Sequence, residues 1–576
     1  MGRIVLVVVL AAAALKLVAV QTVQAGELTE DSARQRTTEI TIAAERGSIL
    51  DRAGAPLAFS VDARALVTNP RLITAVLGDA APAYAAEMAT VVALATGQDR
   101  TELLRLLTSD RGYVVLATLV DPDVARGLRE RFPEITQEKR ESRHYPGGSL
   151  AANVVGAASW NATDQKLSGL IGLESSQDNL LAGSDGLRVV DTAEGSSAVI
   201  PGSTRFERPA VSGSDLQLTL DSDLQYTVEG LLAGEIARTA ALGGSAVVLD
   251  AATAQVLAMA NGATFDPRDL AAADEAQLGN PAISSPFEPG SVNKIVTMAA
   301  ALEYGLATPT DILAVPGDIR VADRTVSDAW VHGVENYTLT GVLAKSSNVG
   351  TIMTAQRVGE DRFAEMLARF GLGATTGVGL PGESAGKVPA RESWSGSTFG
   401  NLPIGQGLSM SVLQMAGMFQ AVANDGVRIP PRVISATIGP DGVRTPTVAP
   451  EPVRVVSPET AATLRTMLTA VTQDVRGQRG TGPQAAVPGY QVAGKTGTAQ
   501  QVDPTCGCYS SSTYWITFAG MLPAQDPRYV IGIMLDAPSG SASAAPLFHD
   551  IATYLAQRER LPVSADEPPV QVLVAR

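Results

Sequence analysis

A serine and a lysine three residues apart are the first residues in this chain whose types and spacing could do chemistry. They lie in Phe287-Glu288-Pro289-Gly290-Ser291-Val292-Asn293-Lys294, just ahead of the apolar run Ile295 to Leu302. Pro289 and Gly290 end whatever precedes them, and the apolar run predicts a helix starting close to Ser291. At this spacing both side chains leave the same helix face and can touch. A hydroxyl beside an amine at a helix start suits an activated nucleophile. Taken alone, such a pair more often marks a helix cap followed by a solvated lysine.

Two later stretches change that balance. Lys345-Ser346-Ser347-Asn348-Val349-Gly350 follows a helical segment and offers a second hydroxyl, Ser346, and an amide, Asn348. Gly494-Lys495-Thr496-Gly497-Thr498-Ala499 lies inside a strand pattern, where glycines mark close approach of a ligand or another backbone. Each is weak by itself. Ser346 and Asn348 also suit a cap on a helix at Val349, and Lys495 an edge-strand lysine. In this order, Ser-x-x-Lys, Ser-x-Asn and Lys-Thr-Gly form the signature shared by β-lactamases and penicillin-binding proteins.

On these motifs the chain resembles a class B penicillin-binding protein, a peptidoglycan D,D-transpeptidase, over nearly its whole length. Arg46-Gly47-Ser48-Ile49-Leu50-Asp51-Arg52 is similar to the opening of that family's pedestal domain, and Gly172-Leu173-Glu174 to another pedestal element. Glu288-Pro289-Gly290 before Ser291 is typical, as is Gly405-Gln406-Gly407 ahead of the apolar Val412 to Val422. Ala65-Leu66-Val67, and Gln500 to Asp503 with Cys506-Gly507-Cys508, resemble the actinobacterial cell-division type. No separate glycosyltransferase region of the bifunctional class A kind is found.

The resemblance implies an acyl-enzyme. Ser291 is the expected nucleophile and Lys294 its general base, neutral through desolvation and a second cation. Lys495 is the expected second cation and binds the substrate carboxylate. Ser346 relays a proton, and Asn348 orients Lys294. Thr496, Gly497 and Thr498 bind substrate, with the backbone N–H groups of Ser291 and Thr498 as oxyanion donors. The substrate class is the D-Ala-D-Ala end of a peptidoglycan stem peptide, cross-linked with release of D-Ala. Further implied partners are lipid-linked nascent strands, β-lactams, a glycosyltransferase of the shape, elongation, division and sporulation (SEDS) type, and other divisome membrane proteins. No cofactor and no metal are expected. The rivals are an elongation-type transpeptidase, a D,D-carboxypeptidase or β-lactam sensor, a β-lactamase and, outside enzymes, a division scaffold. A class A β-lactamase needs a deacylating glutamate loop, which Pro381-Gly382-Glu383-Ser384 does not match.

These residues need elements to position them. With 576 residues, two or more domains are expected. A net charge of -15, from 59 acidic against 44 basic residues, argues against nucleic-acid binding. Ile4 to Val20 is apolar except for Lys16, with Arg3 before it and Glu27, Glu30 and Asp31 after. That reads as a single-pass anchor with a cytoplasmic N-terminus and the remainder outside; a cleaved signal peptide is the rival. The expected division is 1–25 anchor, 26–38 juxtamembrane linker, 39–211 pedestal (dimerisation) domain, 212–560 transpeptidase domain and 561–576 tail.

The predicted fold class is α+β. A penicillin-binding/β-lactamase-like transpeptidase domain, an antiparallel sheet with helices on both sides plus an all-helical subdomain, stands on an extended α/β pedestal. Strands at Gly244 to Asp250 and Gln255 to Ala260 are separated by a helix-rich insert from strands at Tyr490 to Gln501, Thr513 to Ala519 and Tyr529 to Leu535. Residues 70 to 141 read as mostly helical, and the Pro-rich tail as disordered. Cys506 and Cys508, the only cysteines, are too near for an expected unstrained disulfide, so Cys-Gly-Cys reads as a loop feature. His144, His332 and His549 are assigned structural or solvent roles, and Tyr514 and Trp515 core or groove lining.

Overall fold

The structure, a computed structural model, describes residues 2–22, 37–161, 163, 165–192, 199–503, 505–540, 542–564 and 569–575. Gly2–Thr22 is one helix of 21 residues with no buried side chain. At 1.5 Å per residue it is about 31 Å long, matching a hydrocarbon core of about 30 Å. Among the described residues it is the one helix long and apolar enough to cross a membrane.

The pedestal is tied by a buried ion-paired knot. Arg46 donates to Glu174 Oε2 at 2.8 Å and to Asp178 Oδ1 at 2.6 Å, and Arg143 donates to Glu174 Oε1 at 2.7 Å. The Arg46, Arg143 and Glu174 side chains are 1%, 2% and 0% exposed. Charges so deeply buried persist only when paired. The two pedestal motifs, distant in sequence, therefore meet in one network.

A seven-stranded sheet joins the pedestal to the rest. Its order is Arg444–Pro446, Ile434–Ile438, Asp215–Leu218, Ile49–Leu50, Pro56–Thr68 and Val114–Val120, with Thr136–His144 also paired to Pro56–Thr68. Ile49–Leu50 runs parallel to Leu216–Gln217. The stretch expected to be mostly helical thus contains two strands. Val114–Val120 is a β-branched run read too readily as helix. Thr136–His144 has almost no apolar residues, and its pairing from Phe59↔His144 to Val67↔Thr136 is set by backbone hydrogen bonds that composition does not display.

The second sheet has five antiparallel strands in the order Val256–Asn261, Gly243–Asp250, Tyr529–Asp536, Cys508–Leu522, Ala493–Asp503. It is assembled from the two ends of its segment, as expected, and the Lys-Thr-Gly strand is an edge. Ser222–Thr239 and Ala545–Arg558 share one apolar cluster with the sheet, built on residues such as Leu232, Ile531 and Phe548. On the opposite face lies Val412–Ala423, in which all twelve residues are buried. A helix with apolar residues on every side belongs inside a core, and its two glutamines, Gln414 and Gln420, are hydrogen-bonded there. Its start is fixed by a capping box: Ser411 Oγ accepts from Gln414 N at 3.2 Å, and Gln414 Oε1 from Ser411 N at 2.8 Å.

Two expectations are corrected. Cys506 and Cys508 are disulfide-bonded, with Cα atoms 5.2 Å apart. Gly507 adopts φ +64°, folding the chain back within bridging reach at the hairpin tip. The tail is not disordered where it is described. Leu573 is fully buried beside Ala344, Ala470 and Val471, and its carbonyl accepts from Thr338 N at 3.1 Å. A few apolar residues with a preformed slot suffice, whatever the proline content.

Candidate active site

Residues Gly290–Asn293 form a single 3₁₀ turn that runs into the helix Lys294–Glu303. Ser291 stands in that turn, and Lys294 is the first residue of the helix. The turn is pressed onto the Lys-Thr-Gly strand. A Cβ at Gly290 would lie 2.5 Å from Thr498 O, and one at Gly497 would lie 2.7 Å from Pro289 O. Only glycine allows this backbone-to-backbone approach. Thr517 Oγ1 donates to Pro289 O at 3.3 Å and Gly290 N to Gly405 O at 3.1 Å, so the Gly405-Gln406-Gly407 segment supports the turn from behind. Asn293 Nδ2 donates to Leu402 O at 2.8 Å. Among the described residues the Ser291 hydroxyl has no hydrogen-bond partner, which leaves it open to an incoming group.

The three motifs meet at two buried amines. Lys294 Nζ lies 2.5 Å from Ser346 O, 2.8 Å from Asn348 Oδ1 and 3.3 Å from Ser346 Oγ. Lys495 Nζ lies 3.0 Å from Ser346 Oγ and 2.9 Å from Thr496 O. Ser346 Oγ therefore bridges the two lysines. A neutral Lys294 amine can donate its two protons to the two carbonyl oxygens, which leaves its lone pair free to accept one.

Both lysines are fully buried, and burial is the leading cause that favours their neutral forms. Lys294 is pushed down to about 7, with the Asp328 carboxylate pulling the other way. Lys495 is held well below the ordinary lysine range, further lowered by Lys294. Desolvation, rather than the second cation, is thus the main agent on Lys294.

Ser346 ends the helix Leu339–Lys345 in a left-handed conformation, φ +61°. Ser347 then caps the helix Asn348–Val358, its Oγ accepting from Gly350 N at 2.9 Å. This cap-to-cap junction turns Ser346 and Asn348 toward Lys294 while Ser347 points away. Thr496 is half-buried, its Oγ1 2.8 Å from Thr481 Oγ1; Gly497 is buried; Thr498 is exposed on the open side of the edge strand.

The penicillin-binding protein transpeptidase domain family matches residues 244–553, and the penicillin-binding protein dimerisation domain family matches residues 41–218. Penicillin-binding protein PbpB of Mycolicibacterium smegmatis is 52% identical over 603 residues, covering 100% of this chain and 92% of that protein. The chain belongs to the class B penicillin-binding proteins. Within this family, peptidoglycan D,D-transpeptidase FtsI of Escherichia coli K12 is 31% identical over 516 residues, covering 88% of this chain and 82% of that one. Among solved structures, penicillin binding protein 3 of Mycobacterium tuberculosis in complex with ampicillin has a TM-score of 0.75 at 48% identity, covering 93% of this chain and 100% of that chain. Its aztreonam complex has a TM-score of 0.74, with the same identity and coverage.

All eight singled-out residues of this class B member come from the three segments that the fold brings together. Sequence reasoning missed Asp328, whose carboxylate holds the Ser-x-Asn junction: it accepts from Ser347 Oγ at 2.7 Å, Asn348 N at 2.5 Å and Val349 N at 3.0 Å. No spacing links it to that motif, because the hairpin Asp318–Val321 and Arg324–Ser327 delivers it. Glu288, given no role of its own in the sequence, accepts from Gly407 N at 3.0 Å and Tyr509 Oη at 3.0 Å, tying the disulfide-tipped hairpin to the Ser291 turn.

Proposed function

We propose that this chain is a peptidoglycan D,D-transpeptidase that cross-links stem peptides through an acyl-enzyme on Ser291, in septal wall synthesis. The observation that carries the reading is the buried Lys294 amine, held by Ser346 and Asn348 one helical turn from Ser291 and pushed down to about 7. A base poised near neutral pH is what proton abstraction from a serine hydroxyl requires.

Lys294 takes the Ser291 proton as Oγ attacks the carbonyl of the penultimate D-Ala. The oxyanion is held by the N–H groups of Ser291 and Thr498, each such donor being worth about 3–4 kcal/mol. The bond to the terminal D-Ala breaks, and the proton reaches its amine through Ser346 Oγ, which already lies within 3.3 Å of Lys294 Nζ. An amine of a second stem peptide then attacks the ester, and its proton returns to Ser291 by the reverse path. One peptide bond is broken and one is formed. Lys495, Thr496 and Thr498 hold the substrate carboxylate, whose negative charge favours the protonated form of Lys495. β-Lactams acylate the same serine; the β-lactam complexes of the mycobacterial relative support this.

The helix Gly2–Thr22 is the anchor, with the N-terminus cytoplasmic and the catalytic domain outside; Arg3 before it supports that orientation. Residues 39–211 serve as the pedestal and 212–560 as the transpeptidase domain. Anchor and pedestal contact a SEDS-type glycosyltransferase and other divisome membrane proteins. Ser291→Ala is expected to abolish covalent labelling by a fluorescent penicillin and release of D-Ala from a D-Ala-D-Ala stem peptide. Persistent labelling would refute the assignment.

A further inference from the structure

Beneath the Ser-x-Asn junction lies a buried aspartate–histidine pair that the transpeptidase reading does not use. The Asp328 side chain is 0% exposed and that of His332 is 3% exposed. Asp328 Oδ1 accepts the N–H groups of Asn348 and Val349, and Oδ2 accepts Ser347 Oγ–H. His332 Nε2 lies 3.1 Å from the same Oδ2, while its Nδ1 lies 2.7 Å from Gly333 O. Both ring nitrogens thus face oxygen atoms. The ring is wedged between Trp330, stacked at 5.3 Å, and Tyr337 at 6.3 Å, whose hydroxyl is engaged by Glu335. The pair is therefore held from all sides rather than placed by chance.

We propose that Asp328 is a positioning residue for this site: its carboxylate, itself fixed by His332, locks the Ser346–Asn348 junction and sets its charge against Lys294. Three donors on one buried carboxylate set both the rotation of the Asn348–Val358 helix start and the direction of the Asn348 side chain. Asn348 Nδ2 adds a bond to Ser327 O at 3.0 Å, next to Asp328 in the chain. Asp328 also acts at a distance. Among the described residues, the titratable groups that face Lys294 are Lys495 on the edge strand and Asp328 beneath the junction; those that face Asp328 are Lys294 and His332, with Tyr337 and its partner Glu335 beyond. The Asp328 charge favours protonated Lys294, opposing the burial that lowers it.

This inference rests on Lys294 as the base, and two substitutions test it separately from that reading. In Asp328→Asn, the amide oxygen can still accept from Asn348 N and Val349 N. Its Nδ2 can donate to Ser347 Oγ and to a neutral His332 that keeps its Nδ1 proton on Gly333 O. Geometry survives and the charge goes. The rate of acylation by a fluorescent penicillin, followed from pH 5 to 9, should keep its plateau within a few-fold, while its acid limb moves to lower pH by on the order of one unit. His332→Gln keeps a donor toward Asp328 and leaves the carboxylate charge in place, so the limb should stay near its wild-type position, which separates loss of the charge from a change at the pair. If the wild-type rate has no acid limb, the assignment of Lys294 as base fails. If the wild-type limb exists and Asp328→Asn does not move it, the proposal is overturned and the carboxylate only holds the junction. Should Asp328→Asn not fold, as read by its thermal unfolding, the same limb in Asp328→Ser, which also removes the charge, decides.

Discussion

Replacing Gly497 with alanine should separate the Ser291 turn from the Lys-Thr-Gly strand. The added carbon would lie 2.1 Å from Thr517 Oγ1, 2.7 Å from Pro289 O and 3.2 Å from Val292 Cγ1. Ordinary contact is about 3.5 Å. Thr517 can rotate its hydroxyl away, at the cost of its 3.3 Å bond to Pro289 O. Pro289 O is backbone two residues before Ser291, and it cannot withdraw without carrying the nucleophile along. Clearing it requires a shift of about 0.8 Å between Ser291 and the strand. Misplacement of about 1 Å at a reacting centre costs on the order of 100-fold in rate. Overpacking costs about 1–3 kcal/mol of stability. The acylation rate of Gly497→Ala with a fluorescent penicillin should therefore fall by on the order of 100-fold, with a melting temperature lower by a few degrees. Gly230→Ala is the control, because a Cβ there meets nothing within 4 Å. Acylation within about threefold of wild type at an unchanged melting temperature would refute the argument that backbone contact aligns the site.

Two further outcomes follow from the buried groups. Because burial lowers Lys294 in the folded state to about 7, the unfolded chain binds one more proton between about pH 7 and pH 10. Lys294 thus makes stability rise with pH through that window, and its penalty is present in full below it. In Lys294→Met, chemical denaturation should show a pH-dependent rise smaller by on the order of a few kcal/mol, with labelling lost; an unchanged rise would count against a neutral Lys294. Leu573→Ala empties a fully buried site against Ala344, Ala470 and Val471. It should lower stability by about 2–5 kcal/mol and slow acylation, since that cluster backs the helix ending at Ser346; thermal unfolding and labelling kinetics check both.

Local signals made much of this chain legible. The apolar N-terminal helix, the capped and largely apolar Val412–Ala423 helix and the strands at both ends of the second sheet are each written in neighbouring residues. So are Ser291, Lys294, Ser346, Asn348 and Lys495, because motifs of fixed spacing hold their side chains in fixed relation. The polar strand Thr136–His144 and the docked tail were not legible, since each is stabilised by partners far away in sequence. The Cys506–Cys508 bridge depends on a left-handed Gly507 that spacing alone does not reveal.

What the sequence determined by itself was the chemistry available: a hydroxyl, two amines, an amide and a glycine-bearing strand, in the order of one family. What the tertiary structure decided was the protonation and aim of those groups. Burial is what lowers Lys294 toward neutral pH, and that burial is built from atoms of three distant segments. Asp328, invisible as a motif, joins the site for the same reason: a buried carboxylate goes where unpaired backbone N–H groups need it.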